Sequence, residues 1–69
     1  MNAIEKIKQL NNHLSQLSTF ESNFVSDNFA RVMKWGDETN FSEKQVALID
    51  RIYKDRIVEN RPPKEKAEG

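Results

Sequence analysis

The sequence has no cysteine. That excludes a disulfide staple and any thiolate metal site. It has one histidine, His13, which excludes a multi-histidine zinc site. Glycine and proline number two each. So little turn punctuation favours a few long helices over many short strands. No apolar run approaches the roughly 20 residues needed to span a bilayer. No signal-peptide pattern opens the chain, because Glu5, Lys6 and Lys8 interrupt its first ten residues. Net charge is also lacking: 11 basic and 11 acidic residues balance to zero. That argues against a protein that binds nucleic acid simply by being basic. There is no glycine-rich phosphate loop and no nucleophile paired with a base. The expectation is therefore a non-enzyme without catalytic residues, cofactor or metal, located in the cytoplasm.

What is present is 69 residues, of which 36% are apolar. A core this thin rarely supplies more than about 3–5 kcal/mol of net stability. The pattern predicts an all-α fold, a small three-helix domain over 1–59. A disordered, charged tail is expected over 60–69, after Pro62 and Pro63.

The first helix is expected over 3–17. Asn2 is its cap, and Ile7, Leu10, Leu14 and Leu17 form a narrow seam at heptad spacing. The second is expected over 19–35. It starts at the capping box Ser18-x-x-Glu21 and stops at Gly36. Its apolar arc is the widest, which makes it the central helix. Asn28 falls inside that arc and requires a hydrogen-bond partner. The third helix is expected over 43–59, from a second capping box, Ser42-x-x-Gln45, with Phe41 and Val46 at the staple positions. Asp50 and Lys54 are spaced to pair along it. The expected core is Ile7, Leu10, Leu14, Leu17, Val25, Phe29, Val32, Phe41, Val46, Ile49, Ile52 and Tyr53. Arg56 falls in the middle of the third helix's apolar face.

One edge of the second helix carries Phe20, Phe24, Arg31 and Trp35. Aromatic and arginine side chains together are common anchors of protein interfaces. These four are the candidate partner-binding residues. Acids outnumber bases before residue 51, and the reverse holds after it. Lys34, Arg51, Lys54, Arg56 and Arg61 therefore make an alternative, a phosphate-contacting surface on which Trp35 would stack. A further alternative is a homodimer joined through the seam of the first helix.

The stretch 20–57 resembles short helical modules in bacteriophage proteins. The resemblance rests on an aromatic helix, a short polar loop, then Phe41-Ser42-Glu43-Lys44-Gln45 followed by Ile49, Ile52 and Tyr53. Such modules occur in factors that act on nucleic-acid machinery, including small regulators of host RNA polymerase. The resemblance implies an adaptor or regulator that binds RNA polymerase or a replication or recombination protein. If the chain is phage-encoded, it would act in the host cytoplasm. Seven asparagines are consistent with an AT-rich genome.

Overall fold

A computed structural model describes residues 2–63. Three helices, with no strand among the described residues, surround one small core.

Helix α1 spans Ala3–Asn11. The Asn2 side chain accepts from the Glu5 N–H at 2.9 Å, satisfying one of the free amides of the first turn. The helix ends six residues earlier than the seam spacing suggests. Asn11, Asn12 and His13 are all mediocre helix formers, and His13 leaves the helical region at ψ 34°. A 3₁₀ turn at Leu14–Gln16 follows, and Leu17 is extended. The tighter turn still brings Leu17 into the core and leaves Leu14 half-buried against it.

Helix α2 spans Thr19–Trp35, as expected. Its capping box is complete: Ser18 Oγ accepts from the Glu21 N–H at 3.1 Å, and Glu21 Oε1 accepts from the Ser18 N–H at 3.0 Å. Gly36 ends it at φ +61°, ψ −135°, a conformation that side chains with a Cβ rarely adopt. The connection then makes one 3₁₀ turn, Gly36–Glu38. Thr39 is buried beneath it, its hydroxyl donating to the Gly36 carbonyl at 2.8 Å.

Helix α3 spans Glu43–Ile52 and opens with the second capping box, also complete. From Tyr53 to Val58 the backbone widens into a π-helical segment. The chain then turns back on itself. Asn60 adopts φ +55°, and the Arg61 N–H donates to the Asp55 carbonyl at 2.8 Å. Pro63 is buried. Of the stretch expected as a tail, 60–63 follows this return, with the Arg61–Asp55 hydrogen bond and the burial of Pro63 along it. The rest of that expectation, 64–69, lies outside the described residues.

The core is Ile7, Leu10, Leu17, Val25, Val32, Ile49 and Ile52, and all seven are among the expected twelve. Leu14, Phe29, Phe41 and Tyr53 are half-buried around it, and Val46 is half-buried as well. A molecule this small cannot enclose a second shell of side chains. Lys6 ties α1 to α3 through Asp50 at 2.7 Å, so the expected Asp50–Lys54 pair does not form. Lys54 instead approaches Glu59, at 4.0 Å.

Candidate protein-binding edge of helix α2

The four candidate anchors lie on one edge of α2, but their environments differ. Phe20 is 57% exposed and Trp35 is 54% exposed. Phe24 is half-buried and packs against the core. The Phe20 and Phe24 rings stack, with centroids 6.3 Å apart and planes 19° from parallel. Burial of one ring thus fixes the orientation of the other, exposed one.

Arg31 serves the fold. Its Nη1 donates to Asn28 Oδ1 at 3.2 Å, and its Nη2 donates to the Asn40 carbonyl at 2.9 Å. Its guanidinium also lies 5.6 Å from the Phe41 ring centroid. Arg31 therefore clamps the α2–α3 connection onto α2, although it is exposed. It also solves the problem set by Asn28. The Asn28 amide donates to the Phe24 carbonyl at 2.8 Å while its oxygen accepts from Arg31, so this 5%-exposed side chain is satisfied at both ends.

The five cations of the alternative surface are mostly committed within the chain. Arg56 forms a two-pronged ion pair with Glu21, Nε–Oε1 at 2.9 Å and Nη2–Oε2 at 2.8 Å. Both side chains are only 14% exposed. Burial pushes the Glu21 carboxyl up, but hydrogen bonds from Arg56 and Ser18 and the Arg56 charge outweigh it and hold the group below its usual value. The same hydrogen bond raises Arg56 against the opposing effect of burial. Arg61 pairs with Glu59 at 2.7 Å, and Arg51 stands 4.0 Å from Asp55. Lys34 lies over the Trp35 ring, 5.2 Å from its centroid. Interleaved acids thus neutralise the basic rear of the chain, which leaves few cations for phosphate.

The seam of α1 faces inward. Ile7 and Leu10 are fully buried and Leu17 is 4% exposed within the single chain. Those residues are not free to join two copies. His13 is half-buried beside Gln16, with a 3.5 Å approach between their side chains. No described helix is long and apolar enough to cross a membrane.

Two surface features were not singled out from the sequence. Met33, on the opposite edge of α2, is 68% exposed. Its place in the apolar arc gave no sign of that. The other is an open groove of about 610 Å³ between the start of α2, helix α3 and the returning Arg61–Pro63 segment. Its existence depends on that return, which two prolines and a run of charge do not signal.

Comparison with protein-family models, with curated proteins and with solved structures finds no match.

Proposed function

We propose that this chain is a non-enzymatic adaptor or regulator that binds another protein through the aromatic edge of α2. One observation carries the reading. The core closes without Phe20 and Trp35, which remain more than half exposed at the two ends of one helix. Desolvating an exposed aromatic ring is among the larger gains available to a protein interface. A small domain that keeps two such rings on its surface has them available for a partner. Phe24 and Arg31 act beneath them as supports, one through ring stacking and the other through the connection to α3.

The proposed partner is a protein of the transcription or replication machinery, for example RNA polymerase. That part rests on the resemblance of residues 20–57 to phage modules. The bound chain would alter its target by occupying a surface or by favouring one of its states. The test is affinity capture from host lysate with wild-type chain and with Trp35→Ala, read by mass spectrometry. The expected result is one protein of that machinery, retained by the wild type and lost with the variant. Equal recovery by both would overturn the assignment of the edge.

A further inference from the structure

The two ends of α2 differ in shape and charge. Beside its first turn lies the groove, with apolar walls from Phe20, Leu48, Ile52, Pro62 and Pro63. Three arginines and two carboxylates line it, and Arg61 is already paired with Glu59 at 2.7 Å. Arg56 and Glu21 saturate one another there. Arg51 does not share that constraint: its side chain is 79% exposed, and its carboxylate neighbour Asp55 is 4.0 Å away. The groove is therefore partly apolar, with one exposed and loosely paired arginine, Arg51, on its rim.

At the other end, Trp35 projects from the last turn of α2, with Lys34 over its ring. Gly36 turns the chain, and Asp37 and Glu38 follow in an exposed 3₁₀ turn. Neither acid belongs to an ion pair found among the described residues. This end is an aromatic knob with an acidic flank. Fifteen residues of helix hold Phe20 and Trp35 about 22 Å apart along the axis, at 1.5 Å per residue. The knob cannot reach its own groove.

We propose that a second copy of this chain docks its Trp35–Glu38 turn into the groove beside Phe20, so that copies associate head to tail. The indole would lie among Phe20, Pro62 and Pro63, and Asp37 and Glu38 would face Arg51. Both complementary surfaces belong to this one chain, which favours a second copy over an unrelated occupant. The contact joins unlike surfaces, so each docked copy still offers a free knob or a free groove, and growth stops only if a ring closes. A contact this small binds weakly, with a dissociation constant of about 0.1–1 mM. Phe20 and Trp35 are also the residues proposed for partner binding, so self-association and partner binding compete.

Analytical ultracentrifugation of the chain alone, up to about 1 mM, tests the idea. The average mass of the wild type should rise above that of one chain with concentration, and less so in about 0.5 M salt. Trp35→Ala and Arg51→Glu should each stay monomeric. Their mixture should form pairs and nothing larger, because one variant keeps its groove and the other its knob. Both positions are exposed, and circular dichroism checks that each variant is folded. Arg51→Gln replaces Arg51→Glu if the latter is not. A wild type that stays monomeric throughout would overturn the proposal. So would variants that still associate, or a mixture that does not pair. The assay contains no other protein, so its failure leaves the partner-binding reading standing, and a failed lysate capture leaves this one standing.

Discussion

Glu21 holds Arg56 through both carboxylate oxygens, at 2.9 and 2.8 Å, while also closing the capping box that starts α2. Arg56 in turn donates from Nη1 to the Arg61 carbonyl at 3.1 Å. One ion pair thus joins the start of α2, the π-helical end of α3 and the returning segment. Arg56 lies within that π-helical segment. An arginine in the middle of an apolar face would otherwise be a buried charge without a partner.

Removing either partner should therefore be severe. Breaking a buried pair leaves one uncompensated charge and costs about 3–5 kcal/mol. The slight exposure of this pair places it towards the lower end. A domain of this size has only about 3–5 kcal/mol of net stability. Arg56→Ala should lose most of the domain's stability at 25 °C. Urea denaturation followed by circular dichroism checks this. Arg56→Lys should be intermediate, because an ammonium keeps the charge but cannot present the two-pronged geometry.

The same pair sets a pH dependence. The Glu21 carboxyl titrates lower in the folded chain than in the unfolded one. The unfolded chain therefore takes up its proton first as pH falls. The stabilisation from Glu21 is fully present above its ordinary value of 4.5 and is lost as pH falls through the lower, folded value. Arg56 is held above its already high ordinary value, so its contribution is constant over the working range. The melting temperature should drop below pH 4.5, and Glu21→Gln should flatten that part of the profile while lowering stability at neutral pH. An unchanged acid limb in Glu21→Gln would show that other carboxylates control it.

Gly36 separates two effects that are usually confounded. A Cβ placed on it meets nothing within 4 Å, so space is available. The backbone is at φ +61°, where a Cβ is strained. Gly36→Ala should therefore cost about 1–3 kcal/mol through backbone strain alone. Asn should gain little relief, because its tolerance of positive φ belongs to the left-handed helical well at ψ near about +47° and ψ here is −135°. A much smaller loss for Asn than for Ala in thermal denaturation would contradict this account.

Local signals in the sequence carried most of the fold. Two capping boxes, Asn2 and Gly36 depend on residues within three or four positions of one another, and each has the expected role. The core residues were legible because apolar spacing marks the inward face, and the 3₁₀ turn that follows α1 still delivers Leu17 to the core. Apart from the early end of α1, which is local, the departures involve distant partners. Arg56 meets Glu21 across 35 residues, and Lys6 meets Asp50 across 44. Arg31 was legible as an interface residue by type, but its carbonyl partner is set by the path of the connection at Asn40. Residue type placed Phe20 and Trp35 on one edge of α2. Exposure depends on which neighbours cover that edge, and spacing along one helix does not contain that information.

Trp35 and Ile49 should respond to truncation in opposite ways. Ile49 is fully buried, and replacing a buried isoleucine with alanine costs about 2–5 kcal/mol through lost burial and the cavity left behind. That is comparable to the whole stability of the domain, so Ile49→Ala should lose both fold and binding. Trp35 is 54% exposed at a helix end. Surface substitutions usually stay within about 0.5 kcal/mol, and its partial burial adds a modest further loss. Trp35→Ala should therefore keep its helical circular dichroism and most of its melting temperature while partner binding is lost. Measuring stability and binding on both variants separates the two roles. A Trp35→Ala chain as unstable as Ile49→Ala would make the tryptophan part of the fold and remove the main support for a binding edge on α2.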